Sequence, residues 1–141
     1  MRLPLIIYIL TALALVVVLL TRLRLRGDDP VAGRAQISGT LLNVHTGAGL
    51  TAVATWAAFL ITGAGDSEGN SEVGVLALAF FWLTTVAGLM LLFRWMPARG
   101  KRSTAGVSDG WSAGPGLSVL AHVGMLIGVC VFTWAYTFTK I

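Results

Sequence analysis

Four stretches of this sequence run for 19 to 23 residues without one charged side chain: 3–21, 40–62, 73–93 and 116–138. At 1.5 Å per residue, each is long enough as a helix to cross a hydrocarbon core of about 30 Å. Inside lipid a segment must satisfy its own backbone N–H and C=O groups, so an open strand architecture does not compete with the helix. The connections are short, which favours neighbouring helices that run antiparallel. The expectation is therefore an all-α fold: a single four-helix transmembrane domain over residues 1–141, arranged as an antiparallel bundle.

The first run reads as a membrane span rather than a cleaved leader. Its apolar stretch is too long, Arg22, Arg24 and Arg26 follow it, and no small-x-small cleavage site is present. Pro4 falls in its first turn, where proline is tolerated.

Charge sets the expected orientation. Only 11% of the 141 residues are charged, against about a quarter in soluble domains. Arg22, Arg24, Arg26 and Arg34 fall in the first connection, and Arg94, Arg99, Lys101 and Arg102 in the third. The second connection, 63–72, carries Asp66, Glu68 and Glu72 and no base. The positive-inside rule then puts both basic connections in the cytoplasm and both termini outside. Tyr8, Trp134 and Tyr136 fall near the outer interface, with Trp95 and Trp111 near the inner one, as an aromatic belt would. The net charge of +4 sits at helix ends and in loops, which points to topology and to a lipid bilayer rather than to nucleic acid. Arginine outnumbers lysine eight to two, and Ala, Gly and Val abound, a composition that suggests a high-GC bacterial genome and hence a bacterial plasma membrane.

The chemistry-bearing residues are few. The only two histidines are His45, sixth in its run, and His122, seventh in its own. If both helices leave the cytoplasm in the same direction, both rings lie about 8 Å in from the same edge. Ionisable side chains at that depth are costly when unpaired and mark function by default. Two neutral imidazoles at one level on different helices suit a b-type haem held within the bundle. A porphyrin also needs a flat groove, and on the His45 face Gly49 and Ala52 follow one and two turns on, beside Ala48. Arg22, Arg24, Arg34 and Arg94 lie at the cytoplasmic edge, where haem propionates would need cations. The competing reading is that the arginines only set topology and that the histidines bond a helix end, a lipid headgroup or a partner subunit.

Other positions read as packing. Met125 and Cys130 near His122 are expected to fill space. Trp56 and Trp82, in mid-membrane, are expected in the core unless they border a haem or a quinone. Asn43 and Ser118 precede the histidines closely enough to orient a ring nitrogen or to cap a helix. Gly124 and Gly128 make a small-xxx-small step that would let a neighbouring backbone approach, and Gly47, Ala48, Gly49 and Ala52 would do the same. Aligning His45 with His122 also superposes Gly39 on Gly116 and Gly47 on Gly124, a faint parallel repeat that would set the two rings opposite each other.

Several classes are excluded by what the sequence lacks. It has no phosphate-binding Gly-Lys-Ser/Thr loop, no Cys-x-x-Cys-His for covalent haem and no Ser-His-Asp set. A single cysteine excludes an internal disulfide and a thiolate cluster. No acid lies within any run, which argues against proton-coupled transport through a membrane carboxylate.

With four spans and paired His45 and His122, the chain resembles the small membrane-anchor cytochromes b of respiratory complexes, such as succinate dehydrogenase anchor subunits. That resemblance implies a haem clamped by histidines from two helices, a quinone near the cytoplasmic edge, and a role in electron transfer or in anchoring a larger complex. The alternative expectation is a cofactor-free accessory subunit that packs against a larger membrane complex through its Gly/Ala faces.

Overall fold

In the computed structural model, the described residues are 3–26, 38–62, 68–95 and 115–138, and all but a few terminal positions are helical. The helices are α1, Leu3–Arg26; α2, Gly39–Ile61; α3, Glu68–Trp95; and α4, Pro115–Phe138. Each contains a stretch of at least 21 residues apolar enough to span a membrane, the pattern of a multi-pass membrane protein.

Two helices outrun their apolar runs. α1 continues five residues past Thr21 to Arg26, and α3 begins at Glu68 rather than at Val73. Charge ends the hydrocarbon-compatible stretch but not the helix, because Arg, Leu and Glu are all good helix formers. α4 gains Pro115 at its first position, where its missing N–H and fixed φ cost nothing. Several threonine hydroxyls on α2, α3 and α4, which an apolar setting would otherwise orphan, turn back on their own helix. Thr46 donates to Leu42 O, Thr84 to Phe80 O, Thr85 to Phe81 O and Thr133 to Val129 O, at 2.8–2.9 Å.

The helices pack side by side in a ring, α1 on α2, α2 on α3, α3 on α4, and α4 back on α1. That order sets α2 across from α4, and α1 across from α3. Large apolar side chains cover the outside of every helix, among them Leu13, Leu23, Leu50, Val86, Leu120 and Ile127, each between 43% and 65% exposed. An exterior this apolar suits lipid, not water.

Two layers fill the inside. One is aromatic. Trp56 lies 5.2 Å from Phe59, 5.1 Å from Phe132 and 6.2 Å from Phe81 between ring centres, the last edge-on at 81°. Ala52, Ala77, Met125, Val129 and Ala135 complete this core. At its far end Gly74 admits the Tyr136 ring, whose hydroxyl donates to Ser71 O at 2.6 Å. The other layer holds the two histidines, early in α2 and α4, against the late part of α3.

The glycine positions correct part of the sequence reading. At Gly124, Gly128 and Gly47 a Cβ would meet nothing within 4 Å, so among the described residues no backbone uses these glycines to come close. Gly47 and Gly124 are exposed; Gly128 is buried, yet no neighbouring helix comes within reach of a Cβ there. The close approaches fall at Gly49, as its sequence neighbourhood suggested, and at Gly74 and Gly88, where a Cβ would come within 2.5–2.9 Å of another helix's side chain.

Candidate functional site: a buried histidine pair

His45 and His122 meet across the ring of helices. Their ring centres are 6.2 Å apart with planes tilted by 36°. Both are buried, His45 2% and His122 6% exposed. α2 and α4 present them from opposite sides, and α3 supplies the floor between them at Gly88. A Cβ there would sit 2.9 Å from His122 Cδ2, 3.2 Å from His45 Nε2 and 3.3 Å from His122 Nε2. Both Nε2 atoms thus converge on one glycine, and no larger residue fits beneath them without moving a ring.

The hydrogen bonding of the pair is asymmetric. His122 Nδ1 lies 2.7 Å from Ser118 O. A carbonyl oxygen only accepts, so Nδ1 carries the proton and Nε2 is left with a bare lone pair. That lone pair is buried and has no partner, and neither has His45 Nδ1. An unsatisfied buried polar atom costs about 1–3 kcal/mol, so the bare His122 Nε2 and the unpartnered His45 Nδ1 each ask for a ligand or a compensating function.

The donor set narrows the ligand. Among the described residues no group of three or more His, Cys, Asp or Glu side chains converges. Two imidazoles alone under-fill a transition-metal ion that prefers four to six donors. A metalloporphyrin brings four nitrogens of its own and asks the protein only for axial ligands. Two imidazoles sharing one metal at about 2.0–2.1 Å per bond have ring centres on the order of 6 Å apart, close to the spacing of this pair. On donor type and separation the two imidazoles, and on tautomer His122, suit such a group; the packing at Gly88 and Gly49 leaves no open groove for it among the described residues.

The remaining sequence-selected residues fall in different places. Gly49 is buried, but Val18 of α1 and Thr84 of α3 fill the space above it, the nearest atom 2.6 Å from a Cβ placed there. Ala52 is fully buried in the aromatic core. Neither borders an open groove. Arg22, half-buried, donates from Nη1 to Asn43 Oδ1 at 2.6 Å, two residues before His45. Asn43 therefore holds an arginine rather than an imidazole. Arg24 and Arg94 lie in the last turns of α1 and α3, the same end of the chain's hydrophobic layer, but their side chains and all of Arg34 fall outside the described residues. Met125 packs in the aromatic core, Cys130 is exposed, and Trp82 is 38% exposed with its N–H donated to Thr133 Oγ1 at 3.2 Å.

Sequence reasoning missed Gly88. It sits in an Ala/Gly-rich span, and only the rotation of α3 reveals what it faces. Ser118 was legible as a neighbour, yet it acts through its backbone carbonyl, which any residue would supply.

No protein-family model, curated protein or solved structure matches this chain.

Proposed function

We propose that this chain is a membrane-embedded b-type haem protein, with His45 and His122 as the axial ligands, that serves electron transfer or anchors a larger respiratory complex. The observation that carries the reading is the buried imidazole pair 6.2 Å apart, with the His122 Nε2 lone pair bare because Ser118 O holds the proton on Nδ1. Haem, when bound, supplies reversible one-electron transfer in an apolar site. The chain's own part is to hold and orient: Ser118 O fixes the His122 tautomer, Gly88 leaves the gap, and the apolar helices keep water away from both rings.

The fold in this reading is an antiparallel bundle in a bacterial plasma membrane, with both termini outside and the basic connections in the cytoplasm. The histidines then lie towards the cytoplasmic edge. Arg22, tied to Asn43, stands at that edge together with Arg24 and Arg94, where porphyrin carboxylates would need cations.

Haem titration of purified apoprotein in nanodiscs tests this. His122→Ala is expected to abolish stoichiometric binding. His45→Ala is expected to leave a weakened, five-coordinate complex, since His45 lacks the orienting hydrogen bond that His122 has. Stoichiometric, wild-type-like haem in the double variant would refute the assignment.

A second reading, a cofactor-free accessory subunit, draws on the exposed Gly47 and Gly124 and on the unfilled space at Gly128, where a partner helix would find room to approach. It predicts colourless protein and a co-purifying membrane partner that Gly124→Leu or Gly128→Leu releases.

A further inference from the structure

The space that His45 and His122 share rejects a methyl group but not a bare ion. A carbon placed on Gly88 would meet His122 Cδ2 at 2.9 Å, His45 Nε2 at 3.2 Å and His122 Nε2 at 3.3 Å, all inside ordinary van der Waals contact. A ligated ion needs far less room, because it sits only about 2.0 Å from each nitrogen that binds it.

The spacing of the rings separates two ways of joining them. Linked head-on by a hydrogen bond of about 2.9 Å, two imidazoles have ring centres on the order of 5 Å apart. Linked head-on through one ion at about 2.0 Å per bond, they stand on the order of 6 Å apart. This pair stands at 6.2 Å, and His122 Nε2 has no hydrogen-bond partner although His45 Nε2 converges on the same glycine. The separation is that of an ion-bridged pair, not of a hydrogen-bonded one.

Charge and donor number choose the ion. Among the described residues no third His, Cys, Asp or Glu joins the pair. The only carboxylate among the described side chains, Glu72, is exposed and lies sixteen residues before Gly88, about 24 Å away along α3. A divalent ion would therefore keep its charge unneutralised, and the cost of burying charge grows as its square, about fourfold from one charge to two. It would also seek four to six donors and find two. A monovalent ion with a filled d shell, such as copper(I), makes neither demand, since two imidazole nitrogens in line suffice for it.

We infer that His45 Nε2 and His122 Nε2 form a two-coordinate site for one soft monovalent cation of the copper(I) type. His122 is set for the role, because Ser118 O holds the proton on Nδ1 and leaves the Nε2 lone pair free. Burial of both rings excludes the water that would favour the higher charge of copper(II). The inference does not rest on the haem reading: it concerns the haem-free chain, since the same lone pairs cannot bind both.

Copper(I) itself is the probe. Haem-free protein in nanodiscs, carrying Cys130→Ser to remove the exposed thiol, is titrated with copper(I) under ascorbate against a chromophoric copper(I) chelator. One copper(I) per chain is expected, with an X-ray absorption spectrum showing two nitrogen donors at about 2.0 Å and no other ligand. His45→Ala and His122→Ala should each lower copper(I) affinity by more than about 100-fold, because losing one of two ligands exceeds the loss of an orienting partner. Undiminished binding in the double variant, a shell that contains sulphur or a third donor, or zinc(II) held as tightly as copper(I) would each overturn the site. Should the histidine variants fail to insert, the absorption spectrum of the Cys130→Ser protein decides alone. Copper(I) bound between two nitrogens in a chain that takes up no haem upholds this site and removes the haem reading. Stoichiometric haem uptake with no copper(I) binding does the reverse, and uptake of neither overturns both.

Discussion

Replacing Gly88 by alanine adds one methyl at the most crowded point of the site. Its Cβ would lie 2.9 Å from His122 Cδ2, closer than carbon atoms tolerate, and 3.2 and 3.3 Å from the two Nε2 atoms. The helix backbone of α3 is fixed by its burial, so the imidazoles must give way by a few tenths of an ångström. Overpacking of this kind costs about 1–3 kcal/mol. If the rings are the axial ligands, the same displacement weakens haem binding by about 5–150-fold. Gly49→Ala provides the contrast. Its Cβ would meet Val18 Cγ2 at 2.6 Å and Thr84 Cγ2 at 3.2 Å, an equally crowded place that touches neither ring. Both variants should lose thermal stability in detergent, but only Gly88→Ala should lose haem affinity and shift the reduced spectrum. Gly124→Ala, with open space at its Cβ, should do neither. Full haem affinity in Gly88→Ala, with a spectrum identical to the wild type, would refute the argument that the ligand sits between rings converging on this glycine.

Three further outcomes follow from the packing. Phe132→Ala removes a ring that contacts both Trp56 and Phe81 at 5.1 Å, which should cost about 3–5 kcal/mol in a detergent unfolding titration; a loss under about 1 kcal/mol would mean the aromatic layer does not hold the helices together. Tyr136→Phe keeps the ring contact with Phe59 but deletes the hydrogen bond to Ser71 O, for a loss of about 0.5–1.5 kcal/mol and no change in haem content. Single cysteines in the basic connections, placed in a Cys130→Ser background, should resist a membrane-impermeant thiol reagent in intact cells, while a cysteine in the acidic connection should react; the reverse pattern would invert the topology.

The helices were readable because uncharged runs of about 20 residues leave little choice in lipid, and the ends were less so because charge marks the edge of the hydrocarbon rather than the end of a helix. Arg22 to Arg26 and Glu68 to Glu72 are helical for that reason. The histidine pair was also legible, through a depth argument: equal positions in two like-directed spans put two rings on one level. Which glycines matter was not legible. Gly124 and Gly128 have the spacing of a contact motif and touch nothing, whereas Gly88 has no motif and lies beneath both imidazoles. Spacing fixes that residues share a helix face. It does not fix which way the face turns, and in helices that are apolar all round no amphipathic stripe supplies the missing direction. Gly49 and Ala52 show the same gap, since they share the His45 face as expected but meet side chains of other helices rather than a free groove.

The central claim is that the buried histidine pair holds a haem, and a reduced-minus-oxidised absorbance spectrum of the purified protein, with pyridine haemochrome quantitation, tests it most directly. Protein expressed with ample haem should show a sharp reduced α-band of b type at a stoichiometry of one haem per chain. A flat difference spectrum from folded protein under the same conditions would contradict the claim and leave a membrane scaffold whose two histidines answer to some other partner.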